Sequence, residues 1–448
     1  MPKRPTSQYI CQQCGTGYTK WAGRCDNCGA WNSLIEQSAQ IVGSTIVATS
    51  RGRLLKPQLV SKMASSDTLI RLTSGISEVD LVLGDGIVPG SVILLAGQPG
   101  IGKSTLLMQI SQAVSRSDPV LYVSGEESAE QVKARADRLG TDHPLLHVIS
   151  ATSADDIAAT IQASDYRLVV IDSIQTLALA ELSAAAGSVS QITNATTLLS
   201  RSAKTTNTAL IIVGHVTKEG SIAGPKILEH MVDVVLQLDG DRYGGFKVLR
   251  ATKNRYGSTN EVGIFEMNSS GLISVPNPSA SLLSERLSSD GSVVFATMEG
   301  NRPLLVEIQA LVNKTNFGYP KRGVSGFDSN RLSLLIAVLE RRTKLNLSDS
   351  DIYINTVGGI KLQDPAADLA VCMAIASAAK QMQLDSGAVV FGEVGLSGEV
   401  RSVIHSDRRI AEAKKLGFNY AICPKSKIID SFLRPVSSMR DALITHLQ

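Results

Sequence analysis

Between about residues 67 and 272 the chain alternates two patterns. Short unbroken apolar runs recur: SVILLAG (91–97), VLYVSG (120–125), LLHVIS (145–150), RLVVID (167–172), ALIIVG (209–214) and VDVVLQL (232–238). Between several of them lie amphipathic stretches such as KSTLLMQISQAVSR (103–116) and SAEQVKARADRLG (128–140). A strand that is apolar at every position has no solvent face, so its sheet is covered on both sides. Helices between the strands supply that cover and imply parallel pairing. The pattern therefore predicts a largely parallel α/β sheet, with DGDRYGG (239–245) as a hairpin turn between two later strands. The segment VPNPSASLLSERLSSDG (275–291) is rich in Pro and Ser, lacks a period and reads as a linker. A second α/β unit is expected over 292–448. SVVFATME, RPLLVEIQALVN and DIYINTVGG read as its strands, DSNRLSLLIAVLERRTKL and PAADLAVCMAIASAAK as its helices. No short-period repeat is visible.

The N-terminal part follows neither pattern. Residues 8–35 are dense in Cys, Gly and aromatics, and 36–66 reads as a basic flexible linker. The expected organisation is thus a small module at 1–35, a linker at 36–66, an α/β domain at 67–274, a linker at 275–291 and a second α/β domain at 292–448. A chain of 448 residues suits about three domains. With 43% hydrophobic and 19% charged residues, packed cores are expected throughout.

Four of the six cysteines form two CxxC pairs, Cys11/Cys14 and Cys25/Cys28, ten residues apart. Two such knuckles bring four thiolates to one point, which suits tetrahedral Zn²⁺; iron in a rubredoxin-like site is the rival. Gly15 and Gly29 follow the second Cys of each pair, where a tight knuckle needs positive φ. So short a module buries too little core to fold alone, and metal binding is expected to supply about 10 kcal/mol. Metal loss should then unfold this module alone and register in the emission of Trp21 and Trp31. Those two tryptophans either pack the small core or offer stacking surfaces to bases; the scarcity of core favours packing. Cys372 and Cys423 stand in apolar surroundings and are expected to be buried.

Net charge is only +3, but it is unevenly spread. Lys3, Arg4, Lys20, Arg24, Arg51, Arg53, Lys56 and Lys62 face only Asp26 and Glu36 within residues 1–66, leaving the remainder slightly acidic. A basic arm on an acidic body fits either a nucleic-acid partner or a solubilising tail. No apolar run approaches the ~18 residues that a membrane span needs. The N-terminus lacks a signal-peptide apolar region. Clustered thiols fit a reducing compartment, so a cytoplasmic protein without membrane contact is expected.

Gly97-Gln98-Pro99-Gly100-Ile101-Gly102-Lys103-Ser104 fits GxxxxGK[ST], after a strand-like run and before a helix-like one; Thr105 continues the loop. Backbone N–H groups and the helix N-terminus there cradle phosphates. Lys103 would meet the β/γ-phosphates of ATP, and Ser104 would ligate Mg²⁺. Asp172 ends LVVID, where a carboxylate holds the Mg²⁺ shell. Glu126 and Glu127 follow the neighbouring run; either can orient the attacking water, and both also suit a helix start. His215 ends another run and is a candidate γ-phosphate sensor, though a lone His is more often structural.

These segments together resemble the bacterial RadA (Sms) DNA-repair ATPase family. The resemblance rests on KWAGRC and CGAWNSL around the second knuckle, GQPGIGKST, YVSGEES, VVIDSIQT and GHVTKEG. It rests above all on Lys253-Asn254-Arg255-Tyr256-Gly257, where the family usually has Phe in place of Tyr256. The resemblance implies a RecA-like P-loop ATPase core with an N-terminal zinc finger and a C-terminal Lon-protease-like α/β domain. It implies ATP/ADP, Mg²⁺ and Zn²⁺ as cofactors and a homo-hexameric ring that binds single-stranded and branched DNA. It further implies DNA-stimulated ATPase activity, branch migration of recombination intermediates in the response to DNA damage stress, and recombinase, replication or repair proteins as partners. In such a ring Lys253 and Arg255 would reach a neighbour's nucleotide. The loops at about 178–191 and 216–225, the second carrying Lys218 with Lys226 beyond, would face DNA.

The C-terminal segments EGNRPLLVEIQALV, GGIKLQDPAADLAV and FGEVGLSGEVR resemble the Lon protease domain. Its Ser nucleophile is replaced in Asp364-Pro365-Ala366-Ala367-Asp368, and Val400 and Arg401 stand near where its Lys is expected. Without the oxygen nucleophile no acyl-enzyme forms, so an inactive scaffold is expected. Lys314, Lys321 and Arg322 are candidate phosphate contacts on it. Two rival readings are a Lon-like ATP-dependent peptidase and a nucleotide-gated signalling ring of KaiC type.

Overall fold

The computed structural model describes residues 8–11, 16–18, 20–31, 33–37, 59, 70–140, 142–216, 222–223, 227–240, 245–315, 318–426 and 428–447. The chain divides into two compact units, Met1–Thr68 and Leu69–Gln448. Apart from Glu36, Gln37 and Leu59, the expected linker at 36–66 lies outside the described residues.

In the first unit β1 (Gln8–Cys11), β2 (Gly17–Tyr18) and β3 (Leu34–Gln37) form an antiparallel sheet in the order β2-β1-β3. Its described core is Cys11, Cys25 and Leu34, flanked by Tyr9, Tyr18 and Ala22. Trp21 and Trp31 do not join it: they are 58% and 73% exposed. The expectation that they pack the module is therefore corrected. Metal ligation by the cysteines would take the place of core, which leaves the tryptophans unneeded inside.

The second unit opens with α1 (Ser77–Leu83), β4 (Val92–Gly97), α2 (Lys103–Ser115), β5 (Val120–Ser124), α3 (Ala129–Arg138) and β6 (Leu146–Ser150). It continues with α4 (Ala154–Gln162), β7 (Leu168–Asp172), α5 (Val189–Thr206), β8 (Ala209–Val216), β9 (Ile222–Ala223) and α6 (Ile227–Met231). A meander follows: β10 (Val234–Gly240), β11 (Lys247–Asn254), β12 (Val262–Asn268) and β13 (Gly271–Ser274). These strands make one sheet in the order β13-β12-β11-β10-β4-β8-β7-β5-β6, with β9 on β8. The six strands from β10 to β6 are parallel and the meander is antiparallel.

The unbroken apolar runs are explained by two cores. Ile93, Leu95, Val120, Tyr122, Leu168 and Val170 face one side, with Leu106 and Ile110 of α2 and Val132 of α3. The alternate residues Val92, Leu94, Leu121, Val123, Val169 and Ile171 face the other, with Ile157 of α4 and Leu199 of α5. The central strands β4, β5 and β7 thus spend both faces on burial, whereas the edge strand β6 is only partly covered.

The remaining elements are α7 (Pro278–Leu283), β14 (Ser292–Glu299), β15 (Arg302–Lys314), β16 (Arg322–Ser325), α8 (Ser329–Thr343), β17 (Ser350–Thr356) and α9 (Ala367–Lys380). After them come β18 (Ala388–Val390), β19 (Glu393–Val394), β20 (Val400–Arg401), α10 (Ser406–Lys415), β21 (Tyr420–Pro424), β22 (Leu433–Val436) and α11 (Met439–His446). A seven-stranded sheet runs β16-β17-β15-β14-β18-β21-β22. Helix α9, buried from Ala367 to Ala378, lies against β14 and β15, and both Cys372 and Cys423 are buried as expected. Burial pushes the Cys423 thiol up to about 11.

The segment 275–291, expected as a linker, holds α7. Asn277 caps this helix by accepting from Ala280 N at 3.1 Å, and Pro278 occupies its first turn. Leu282 then packs with Val262 and Ile264 of β12 and Leu304 and Val306 of β15. Arg250 of β11 pairs with Glu299 of β14 at 3.3 Å, and Arg302 of β15 with Glu78 of α1 at 2.6 Å, so apolar and ionic contacts both join the two sheets and the elements packed on them. Six residues are too few to show a helical period, so composition alone does not reveal α7 within this segment.

Candidate nucleotide and metal sites

Strand register gathers one set of expected residues at the carboxyl edge of the parallel sheet. Gly97 of β4 stands opposite His215 of β8, and Ser124 of β5 opposite Asp172 of β7. Such an edge is where open α/β sheets bind ligands. The loop after β4 bends through Gly100 at φ +79° and Gly102 at φ +116°, conformations that favour glycine. At Gly97 there is no room for a side chain: a Cβ would lie 2.6 Å from Leu238 O. Ile101 is buried, Gln98, Pro99 and Gly100 are exposed, and Ser104 and Thr105 are half-buried at the start of α2. The backbone amides at that helix start have no intrahelical partners, the arrangement an anion needs.

Lys103 is buried, and its Nζ donates to Gly97 O at 2.8 Å and Gln98 O at 3.0 Å. Burial pushes its ammonium down, while the charges of Asp172 and Glu126 pull it back up. All three groups therefore share one electrostatic neighbourhood. Asp172 Oδ2 accepts from Tyr122 Oη at 2.7 Å and lies 4.0 Å from Arg135 Nη1. Burial, followed by the charge of Asp172, pushes the Tyr122 phenol well up, so it stays a donor.

The two glutamates part company. Glu126 is exposed at this edge, and its Oε1 accepts from Ser173 Oγ at 2.6 Å. Glu127 is ion-paired with Arg135 of α3, and its backbone is fixed by Ser124 Oγ, which donates to its carbonyl and accepts from its amide, both at 2.9 Å. Tyr122, Arg135 and Ser173 escaped the sequence reading. A buried phenol needs a partner, which is a usable signal for Tyr122. Arg135 looks like any surface cation on an amphipathic helix.

Lys253 and Arg255 are not brought to this edge. Val234 of β10 pairs with both Asn254 and Ile93, whereas Leu238 pairs with Gly97. Four residues of strand, about 13 Å, therefore separate the Lys253–Arg255 end from the phosphate loop. Lys253 Nζ donates to Glu229 O and Val232 O, each at 2.7 Å, at the end of α6. Arg255 pairs with the buried Asp233 at 3.0 Å, and Asn254 Nδ2 donates to Val82 O and Leu83 O at 3.3 Å.

Of the expected DNA-facing segments, 178–191 is organised by the buried Gln191. Its Oε1 accepts from Leu179 N at 2.8 Å, and its Nε2 donates to Leu182 O at 3.0 Å and Ala184 O at 2.9 Å. Lys218, Lys226 and the side chain of His215 lie outside the described residues. Arg322, expected as a phosphate contact, donates to the carbonyls of Lys321, Ser350 and Leu347, so its guanidinium serves the fold. Lys314 and Lys321 are exposed.

In the first unit Cys11, Cys25 and Cys28 have sulfurs within 4.8 Å of one another, with Cys11 and Cys28 at 3.6 Å. Tetrahedral Zn–S bonds require S···S spacings of about 3.8 Å, so this thiolate set fits Zn²⁺. Gly29 at φ +74° turns the second knuckle, and its amide donates to Cys25 O at 2.8 Å. Cys14 lies outside the described residues.

Comparison with known proteins joins these pieces. Family profiles match an AAA domain over residues 61–221, a rubredoxin metal binding domain over 9–36 and subunit ChlI of Mg-chelatase over 330–427. The chain is 47% identical to the DNA repair protein RadA of Bacillus subtilis (strain 168), over 98% of each chain. It belongs to the RadA family. The DNA repair protein RadA of Aquifex aeolicus (strain VF5) is 44% identical over 99% of each chain. A solved KaiC-like protein, PH0186 from Pyrococcus horikoshii OT3, covers 46% of this chain and 100% of its own at TM-score 0.39 and 21% identity. The fold expectation stands: a RecA-like ATP-binding domain, an N-terminal zinc ribbon and a Lon-like C-terminal region. At the position of the Lon nucleophile, Ala366 and Ala367 are fully buried, and the flanking Asp364 and Asp368 are paired with Arg409 and Arg331. No helix among the described residues is long and apolar enough to cross a membrane.

Proposed function

We propose that the chain is a DNA-dependent ATPase of recombinational DNA repair in the cytoplasm. It works as a homo-hexameric ring that binds single-stranded DNA and drives branch migration. The observation that carries this reading is the separation of Lys253 and Arg255 from the phosphate loop across the sheet. A protomer whose loop, acids and basic motif lie on opposite edges suits a ring, in which one edge meets the other edge of its neighbour.

In this reading Gly97–Thr105 hold the phosphates of ATP, and Lys103 leaves the loop carbonyls to bind them. Ser104 and Asp172 would hold Mg²⁺, which supplies charge neutralisation to the β/γ-phosphates when bound. The half-buried hydroxyl and carboxylate at that edge fit such an ion. Glu126 orients the attacking water, a role supported by its exposure and by the engagement of Glu127 with Arg135. His215, level with Gly97, senses the γ-phosphate. Lys253 and Arg255 stabilise the neighbour's transferring phosphate. The segments 178–191 and 216–225 track the DNA backbone, and the C-terminal region holds the ring without peptidase activity. Division into 1–35, 36–66, 67–274, 275–291 and 292–448 is part of the same reading.

ATP turnover measured with and without single-stranded DNA at low salt, beside a casein digest, tests it. Stimulation by DNA with intact casein is expected; turnover indifferent to DNA would overturn the proposal. A casein digest would instead favour the peptidase, which the buried alanines oppose.

A further inference from the structure

Among its described residues the zinc ribbon buries only Cys11, Cys25, Ser33 and Leu34, yet it leaves the two largest apolar side chains of the chain in solvent. Trp21 is folded near Gly23, where a Cβ would lie 3.8 Å from the indole. Trp31 is bridged through its backbone to Arg24, the next residue along. The two rings therefore flank adjacent backbone positions on the second knuckle. The Arg24 guanidinium lies 5.7 Å from the centroid of the Trp31 ring, and its Nε donates to Gly29 O at 3.0 Å, which fixes it there. Lys20 and Arg24 are exposed on this surface, opposed by the exposed Asp26.

Two large indoles left exposed on one small module, at 58% and 73%, form an apolar surface of the kind that meets a partner. Flat aromatic faces interleaved with cations fit stacked bases on a phosphate backbone rather than an apolar protein groove. The six-charge surplus of residues 1–66 points the same way. We infer that Trp21 and Trp31 form a base-stacking platform for single-stranded nucleic acid, with Arg24 and Lys20 meeting its phosphates. The inference rests on the proposed DNA-dependent reading and assigns a second contact surface outside the ATPase fold.

These are the only two tryptophans in the chain, so their emission reports this surface alone. The full-length zinc-loaded protein is titrated with a labelled thymidine oligonucleotide and with an abasic oligonucleotide of equal length, following tryptophan emission and label anisotropy. Thymidine should quench the emission, and the abasic strand should bind without quenching. Trp21→Ala and Trp31→Ala should each weaken thymidine binding about tenfold, with Trp31→Phe retaining most of the affinity and all variants keeping their zinc. Emission that stays unchanged at saturating thymidine, or that falls equally with the abasic strand, overturns the platform and leaves the surface to a protein partner. ATP turnover recorded on the same samples separates the failures. DNA-stimulated turnover with silent tryptophans removes this inference alone; unstimulated turnover removes the reading beneath it.

Discussion

The zinc ribbon and the ten-stranded sheet solve folding in opposite ways. The sheet buries both faces of its central strands, so its stability resides in side chains such as Phe265 and Ile171, each fully enclosed. The ribbon has three buried residues in its described core, two of them metal-ligating cysteines. It holds together through coordination, and this frees its tryptophans for the surface. A metal-centred module can expose what a core-centred domain must hide.

Zinc removal tests that contrast with the largest expected effect. It withdraws about 10 kcal/mol from the ribbon, so thiol labelling and amide exchange should show the sheet of β1, β2 and β3 opening while the melting of the second unit is unchanged. A fall in the melting of the second unit would erase the distinction. Because Trp21 and Trp31 already face solvent, their emission maximum should barely move, contrary to the reading that assumed packed rings. Next in size, Lys103→Ala should cut ATP turnover by at least ~10³-fold with melting and zinc content intact; near-normal turnover would dissociate the loop from the chemistry. Phe265→Ala should cost about 3–5 kcal/mol in denaturant unfolding of the second unit. Trp31→Ala, a change of similar bulk in the ribbon, should stay within about 0.5 kcal/mol. Equal costs for these two substitutions would break the comparison.

Contiguous features were legible in the sequence. The phosphate loop, the CxxC pairs and the alternating strands and helices each occupy one short window, and local spacing is enough to specify them. What the sequence hid depends on register and long-range closure. Tyr122 and Asp172 are 50 residues apart and meet because β5 and β7 are neighbours in the sheet. Glu127 is set apart from Glu126 by its pairing with Arg135, the seventh residue of α3 and indistinguishable by type from its exposed neighbours. Lys253 sits among the carbonyls of Glu229 and Val232, a contact between β11 and the end of α6 that no spacing rule reveals. The tryptophans were misjudged because the argument from scarce core ignored that metal coordination substitutes for core.

The central claim is that ATP is hydrolysed between protomers, with the phosphate loop of one and Lys253 of the next. Mixing Lys103→Ala protein with Lys253→Ala protein measures this directly. Each is expected to be inactive alone. In mixed rings at equal ratio, about a quarter of the interfaces combine an intact loop with an intact Lys253, so turnover should reappear. Turnover that never exceeds that of the two separate variants, under conditions where subunit exchange is demonstrated, would contradict the account.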